Sequence, residues 1–431
     1  MSIALRELPE GTHTVVLGLG DLNGIMRGKR IPARQWPTVC ADGNAFSSVL
    51  FAMDMTCDVW DTPFANFDNG FPDFHMWPLS QPAALPWEPG VALSFGRAVD
   101  VGHDALPLDP RQALVRQVER AARMDIDVQV GTELEFYLLD PATHLPRDRG
   151  ISVYGLDRAA ELEHVLGPIR RQINEFGIPI EQSNPEYAAG QVEVNIRYDT
   201  ALLAADRVVM FRSLVKQLAG CHGYKATFMA KPFHDQSGNG FHCHYSLWRD
   251  GRNLLADGGA LSEIGRHVIG GLQRRMAEAA ICGSATVNGY RRRVPYSFCP
   301  VNTAWGIDNR TAGLRVIEGQ DKAVRVEKRD AGADCNPYLL LASDIAAALD
   351  GIEQRMEPTD PTPDSAYKSA SAGPIPTDLG DAIRQAATSD WLRAVLGDTL
   401  HTLVLQQARR ELAFFADQVT PMERDRYLDA F

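Results

Sequence analysis

Ser237-Gly-Asn-Gly-Phe-His-Cys-His-Tyr-Ser-Leu-Trp248 sets two imidazoles, His242 and His244, two residues apart, behind a Gly/Asn-rich turn and ahead of an apolar run. Successive side chains of a β-strand point to opposite faces, so both rings enter one cavity if this run is a strand. Val130-Gly-Thr-Glu-Leu-Glu-Phe-Tyr-Leu-Leu139 repeats the spacing with two carboxylates, Glu133 and Glu135. Its apolar neighbours Val128, Val130, Phe136, Leu138 and Leu139 mark a strand buried on at least one face. Strands that aim pairs of ligand-type side chains inward predict a sheet built around a site.

Working outward, the pattern mixes strands and helices. Strands are expected at 127–139, 190–197, 225–231, 241–248 and 312–317, and helices at 157–176, 202–221, 261–280 and 337–355. The alternation is incomplete, which favours an α+β fold over a doubly wound sheet. Leu108-Asp-Pro-Arg-Gln-Ala-Leu-Val-Arg-Gln-Val-Glu-Arg-Ala-Ala122 opens a helix, with Asp109 at the N-cap and Pro110 in the first turn. A domain boundary is placed just before it, giving domains of residues 1–105 and 106–431. Ahead of the boundary, Thr14–Leu19, Val49–Asp54 and Val91–Phe95 are short apolar runs between Gly/Pro punctuation and are expected as strands of a small sheet domain. Residues 356–376 carry Pro358, Pro361, Pro363, Pro374 and Pro376 and are expected as a loop; helical periodicity returns from Leu379 to Phe415.

The chain has 431 residues, 45% of them apolar and 23% charged, enough to bury a large core. No apolar run approaches the ~18–20 residues of a membrane span. Met1–Glu10 lacks the features of a secretory signal, and the seven cysteines include no Cys-x-x-Cys, so a reduced, cytoplasmic chain is expected. Net charge is −12 and the arginines form no basic stripe, which argues against a nucleic-acid partner.

Glu186 and Glu193 flank Tyr-Ala-Ala-Gly-Gln-Val, and Glu327 lies in Val324-Arg-Val-Glu-Lys-Arg329. Four or five carboxylates with one or two histidines and no supporting cysteine suit Mg²⁺ or Mn²⁺ and suit structural zinc poorly. Arg292, Arg310, Arg315, Arg325 and Arg329 cluster between residues 292 and 329. A guanidinium fork takes two oxygens and offsets negative charge in a transition state, so metals plus arginines are a phosphoryl-transfer layout. Taken singly, Glu-x-Glu is more often a solvated face, His-x-His a core or surface pair, and arginines surface ion pairs; the combination carries the reading.

These residues fall in motifs. Asp21-Leu-Asn-Gly-Ile-Met-Arg-Gly-Lys-Arg-Ile-Pro32, Gly131-Thr-Glu-Leu-Glu-Phe136, Glu186-Tyr-Ala-Ala-Gly-Gln-Val-Glu193 and Ala226-Thr-Phe-Met-Ala-Lys-Pro232 are followed by Gly240–Ser246, Asn309-Arg-Thr-Ala-Gly-Leu-Arg315, Asn336-Pro-Tyr338 and Thr420–Leu428. Essentially end to end, the chain resembles a glutamine synthetase, in particular the γ-glutamylamide synthetases that join glutamate to an amine other than ammonia, such as γ-glutamylpolyamine synthetase. The resemblance implies a small N-terminal β-grasp domain before a larger catalytic domain, and a homo-oligomer, a dodecamer of two stacked hexamers, with active sites between subunits. It implies ATP, L-glutamate, an amine and two or three Mg²⁺ or Mn²⁺ ions per site. Carried over, Glu135, Glu186 and Glu193 hold one metal, and Glu133, His242 and Glu327 the second. His244, Ser246, Arg325 and Lys322 contact the nucleotide; Gly238, Arg292 and Arg315 hold glutamate; Arg310 faces the transferred phosphoryl group, with Arg292 and Glu186 beside it in the catalytic set.

The departures from the family pattern concern the amine. Where true glutamine synthetases carry a Gly-Tyr-Glu run whose glutamate closes over the site, this chain has Val294-Pro-Tyr-Ser-Phe-Cys-Pro300, with Phe298 at that position. The Asp-Gly-Ser-Ser loop has no clean equivalent around Asp42–Ser48. Ammonium is small and strongly hydrated and calls for a carboxylate cage; Phe298, with Phe46 and Tyr154, supplies apolar wall instead. An organic amine is expected, with Glu186 as the base; glutamine synthesis from ammonia is the alternative. A non-catalytic ring or amine sensor is disfavoured because no ligand of the metal and arginine set is missing.

Overall fold

Residues 7–147, 150 and 152–431 are described by a computed structural model of the chain. Six strands make the first sheet: β1 (Thr14–Gly20), β2 (Met26–Pro32), β3 (Asn44–Ser47), β4 (Asp73–Pro78), β5 (Ala83–Ala84) and β6 (Val91–Val99). Their order is β2-β1-β6-β4-β3, with β5 added to β6. β1 and β6 run parallel and the other pairs antiparallel. β2 escaped the sequence reading because Met26-Arg-Gly-Lys-Arg-Ile-Pro32 is basic, with Lys29 and Arg30 exposed. It is an edge strand, where charge discourages pairing with another chain. Val49–Asp54, expected as a strand, contains a single 3₁₀ turn at Ser48–Phe51. The Ser47 hydroxyl accepts from the Val49 amide at 3.3 Å, and this local cap outweighs the apolar run.

The second sheet holds the site. Its strands are β7 (Asp127–Leu139), β8 (Ile180–Pro185), β9 (Gln191–Thr200), β10 (Lys225–Thr227), β11 (Gly240–Arg249) and β12 (Arg252–Asn253). A separate two-stranded ribbon, β13 (Ala256–Asp257) and β14 (Ala260–Leu261), intervenes before β15 (Trp305–Ile307), β16 (Leu314–Ile317) and β17 (Arg325–Gly332). The order is β15-β16-β17-β11-β7-β9-β8, with β10 on β7 and β12 on β11. The 225–231 stretch leaves the sheet after Thr227, because the side chain of Asn239 donates to the Met229 carbonyl at 2.8 Å and its amide to that of Ala230 at 2.7 Å. A loop thereby takes the hydrogen bonds a strand would have used.

Long helices cover this sheet: Pro110–Arg123, Leu156–Phe176, Ala201–Cys221 and Pro337–Glu353, the first capped by Asp109 as the sequence indicates. The helix expected over 261–280 stops at Arg275, with a separate short turn at Ala280–Gly283. Its glycines permit close approach to Pro337–Glu353; a Cβ on Gly271 would lie 2.0 Å from the Ala347 carbonyl oxygen. Asn336 joins the two sheets. Its side chain accepts from the Tyr338 amide at 2.9 Å as an N-cap and donates to the carbonyls of Asp21 and Leu22 at 3.1 and 3.0 Å. One continuous apolar core runs from β1 through both sheets to the helices between Leu379 and Ala408. Residues 356–376 carry only a short 3₁₀ turn at Ala366–Lys368 among regular helices and strands.

Candidate active site

Register brings the ligand-type side chains together. β11 sets His242 opposite Glu133, β9 sets Glu193 opposite Glu135, and β17 sets Glu327 opposite His244. Glu186 follows β8, on the turn into β9, where its amide donates to the Gln191 carbonyl at 2.8 Å. Three groups result, each with ligand atoms within 4.8 Å of one another: Glu135, Glu186 and Glu193; Glu133, Glu193 and His242; Glu133, His244 and Glu327. His244 Nε2 lies 3.0 Å from Glu133 Oε1, while His242 Nδ1 lies 3.3 Å from Glu133 Oε2 and 3.6 Å from Glu327 Oε1. The groups thus overlap. The β11–β17 register, shifted between Phe241 and Cys243, puts His244 directly across from Glu327 as well as leaving His242 beside it.

The electrostatics are those of a cation site. Burial, then repulsion from Glu133, Glu135 and Glu186, pushes Glu193 up to about 9. Burial and Glu135 push Glu186 up to about 7 against the hydrogen bond from Asn184. Burial also opposes charge on Glu133, but contacts with the His242 and His244 rings prevail and hold it well below the usual range. Glu327, fully buried, is held at about 2: burial works against it, and Arg329, then the two histidines, outweigh that cost. A carboxylate cluster that repels its own ionisation accepts a hard divalent cation readily, and the oxygen-rich donor set with single imidazoles fits one.

Two cavities border the cluster. The larger, about 1020 Å³, is lined by Glu135, Glu186 and His242, with Gly238, Arg292, Arg329, Tyr187 and Phe298 on its walls. The smaller, about 460 Å³, is lined by Glu133 and His244, with Ser246, Trp248, Tyr198, Lys322 and Arg325. The loop Ser237–Gly240 is pinned on the larger side. Gln191 Nε2 donates to the Gly238 carbonyl at 3.1 Å and to Asn239 Oδ1 at 3.0 Å, the Tyr137 hydroxyl donates to the Ser237 carbonyl at 2.6 Å, and the Gly240 amide donates to Glu135 Oε2 at 2.6 Å. A Cβ on Gly238 would lie 2.7 Å from the Ala230 carbonyl oxygen, so only glycine fits.

The arginines divide by depth. Arg292 is buried and donates to the carbonyls of Asp330 and Arg329 at 3.1 and 3.0 Å. Arg329, also buried, donates to Glu327. Arg315 donates to Glu327 Oε2 at 3.0 Å and to Asp308 Oδ1 at 3.0 Å through Nε. Arg325 Nε donates to His244 Nδ1 at 3.3 Å. Arg310 and Lys322 are exposed. Tyr154 is exposed near Glu186, its amide donating to the Pro185 carbonyl at 3.2 Å. Phe298 is exposed, its ring 6.2 Å from that of Tyr187. Phe46 stands apart: it is buried in the first sheet with its ring 5.9 Å from Phe74, so it builds core and no cavity wall in its own chain. Arg329, counted in the arginine set from the sequence but given no individual role, sits two residues beyond Glu327 and pairs with it. Sequence reasoning passed over two residues of this region: Gln191 and Tyr187 lie inside the Glu186–Glu193 motif but carry no charge to draw notice.

The model of the family "Glutamine synthetase, catalytic domain" matches residues 107–427. The gamma-glutamylethanolamide synthetase GlnA4 of Streptomyces coelicolor is 36% identical over 431 aligned residues, covering 95% of this chain and 91% of that protein. The glutamate–isopropylamine ligase of a Pseudomonas species is 33% identical, covering 96% of this chain and 95% of its own. The solved structure "GmaS/ADP complex-Conformation 1" superposes with a TM-score of 0.88 at 30% identity, covering 98% of both chains.

Proposed function

The chain belongs to the glutamine synthetase family, and from that premise we propose that it is an ATP-dependent ligase joining the γ-carboxylate of L-glutamate to an organic primary amine. The observation that carries the amine half is Phe298 against Tyr187 in the cavity that Glu186 lines, an aromatic wall in place of a further carboxylate. Relatives that act on ethanolamine- and isopropylamine-type acceptors, by their names, point the same way.

A free carboxylate is a poor acyl donor. Transfer of the ATP γ-phosphoryl group to glutamate gives γ-glutamyl phosphate and ADP; the amine nitrogen then attacks the acyl carbon, the C–N bond forms, the C–O bond to phosphate breaks, and the amine's surplus protons pass to a carboxylate and on to water. Glu186 is assigned that proton-accepting role. Divalent ions, Mg²⁺ or Mn²⁺ and two or three per site, supply charge neutralisation between the phosphates when bound. Glu135, Glu186 and Glu193 would hold one; Glu133, Glu327 and the two histidines offer the rest of the ligands. His244, Ser246, Arg325 and Lys322 face the nucleotide in the smaller cavity. Gly238, Arg292 and Arg329 line the larger one, where glutamate's α-carboxylate needs a guanidinium partner. Exposed Arg310 would meet the phosphoryl group; Arg315, assigned to glutamate by the resemblance, donates to Glu327 and Asp308 and lines neither cavity.

In this reading residues 1–105 form a β-grasp domain and 106–431 the catalytic domain, in a dodecamer of two stacked hexamers. Supporting an assembly, Phe414, Phe415, Val419, Met422, Leu428 and Phe431 are all exposed at the end of the chain, a density of apolar surface that a lone subunit seldom presents. No helix among the described residues is long and apolar enough to cross a membrane. The test is glutamate- and ATP-dependent phosphate release with ammonium, methylamine, isopropylamine, ethanolamine, putrescine, spermine and aniline, in Mg²⁺ and in Mn²⁺. A higher kcat/KM for an organic amine than for ammonium is expected; the reverse order would return the chain to glutamine synthesis.

A further inference from the structure

Four aromatic residues stand exposed at or beside the larger cavity, which Glu186 also lines. Tyr187, Tyr296 and Phe298 line it, and Tyr154 adjoins Glu186 through its hydrogen bond to the Pro185 carbonyl. Their relative exposures are 49% for Tyr187, 69% for Tyr296, 50% for Phe298 and 62% for Tyr154. Three hold left-handed backbone: φ is 59° at Tyr154, 65° at Tyr296 and 59° at Phe298. Bulky side chains disfavour that region, and such residues concentrate where a site needs a side chain aimed in a particular direction. Tyr296 packs its ring on that of Tyr367 at 5.0 Å, but core packing does not account for Tyr154 and Phe298, two strained, solvent-facing aromatics beside the Glu186–Tyr187 segment. A ligand that uses ring faces does.

The charge around these rings narrows the ligand. Beyond the metal-type ligands, Asp235 is the further acid among the described lining residues, against Lys231, His234, Arg291, Arg292 and Arg329. A long cation with a second ammonium would run from the aromatic end toward this basic wall. A neutral arylamine would gain nothing from the negative faces of the rings beyond stacking.

Resting on the ligase reading above, we propose that Tyr187 and Phe298, with Tyr154, form an aromatic cage that selects a small primary monoalkylamine, bound as its alkylammonium cation. The rings of Tyr187 and Phe298, tilted by 45° with centroids 6.2 Å apart, stand close enough for a single ammonium to lie within the ~6 Å reach of a cation–π contact to both. The alkyl group lies on the rings, and the N–H donors turn toward the Glu186 carboxylate. Glutamate occupies the Gly238 and Arg292 side, so the nitrogen meets the acyl carbon between the two.

The experiment uses the full-length enzyme with glutamate, ATP and Mg²⁺, reading phosphate release against ethylamine concentration. Tetramethylammonium, a cation that cannot be acylated, is compared as an inhibitor with tert-butyl alcohol, its uncharged counterpart in shape. Tetramethylammonium should compete with ethylamine and tert-butyl alcohol should not, at least tenfold apart in inhibition constant. Phe298→Leu, apolar but without a π face, should raise the KM for ethylamine about tenfold and leave the KM for glutamate within twofold; Tyr187→Leu should do the same. Equal inhibition by both probes would overturn the cage and leave a merely apolar wall. So would unchanged ethylamine KM in folded variants, or a preference for spermine or aniline over ethylamine. The inhibitor comparison needs no variant, so misfolding of either one leaves the test intact. Absence of phosphate release with every amine would instead overturn the underlying ligase reading, and the cage with it.

Discussion

The backbone amide of Gly240 donates to Glu135 Oε2 at 2.6 Å, so the glycine loop of the larger cavity and the carboxylate cluster form one mechanical unit. A movement of Ser237–Gly240 is felt by a residue of the metal-type set, and the coupling is reinforced by Gln191, which holds the same loop from the other side.

Gln191 is buried and donates to two acceptors of that loop. Gln191→Leu keeps most of the volume and leaves both acceptors without a partner, at a cost of roughly 1–3 kcal/mol. Glutamate KM should rise about tenfold, and the melting temperature should fall by a few degrees. Steady-state kinetics and calorimetry on one preparation check both, and a normal glutamate KM in a destabilised protein would reduce Gln191 to a structural role.

Glu327 is fully buried between Arg315 and Arg329. Glu327→Gln removes a carboxylate of the proposed ligand set and takes the carboxylate partner from Arg329, while Arg315 keeps Asp308. Phosphate release should drop at least ~100-fold, the scale of losing one preorganised electrostatic partner. Calorimetric titration with Mn²⁺ should show weaker binding; unchanged Mn²⁺ affinity would remove Glu327 from the ligand set.

Glu186 at about 7 and Glu193 at about 9 both stand above the usual 4.5. Between those limits the folded chain keeps protons that the unfolded chain has released, so by linkage stability is greatest below the unfolded value and falls as pH rises through the window. The cation-free protein should therefore melt at a lower temperature at pH 8.5 than at pH 6. Mg²⁺ should restore more at the higher pH, and its binding should release protons, visible as heats that depend on the buffer. A melting temperature that climbs with pH in the presence of a chelator would contradict the raised carboxyls.

Asn336 caps the helix Pro337–Glu353 and holds the Asp21–Leu22 turn of the first sheet. Asn336→Ala should lose the cap, worth about 1 kcal/mol, and leave the Leu22 carbonyl without its donor, for a total of about 2–3 kcal/mol. Urea titration gives the value directly. A loss under 0.5 kcal/mol, on the order of a surface change, would show that water replaces the side chain.

The ligand pairs were legible because strand alternation is a geometric rule: Glu133 with Glu135 and His242 with His244 share a face wherever they form strands. Which histidine meets Glu327 was not legible, since it depends on the β11–β17 register and its shift at Phe241 and Cys243. The edge strand β2 hid behind Lys29 and Arg30, whose charges suit an edge but not a pattern search. Phe46 went the other way: a position aligned softly with an ammonium loop turned out to face Phe74 in the first sheet. Gln191 matters through hydrogen bonds to Gly238 and Asn239, nearly fifty residues away, and periodicity carries no record of those.

Glu133 and Glu135 are next-but-one neighbours on a single strand, yet each borders a different cavity. Traffic through the protein accordingly has two doors. If the nucleotide takes the smaller cavity and glutamate with the amine the larger, as proposed, spent nucleotide and finished amide need not queue behind one another. Inhibition by the amide should then be competitive against glutamate and the amine, and not competitive against ATP.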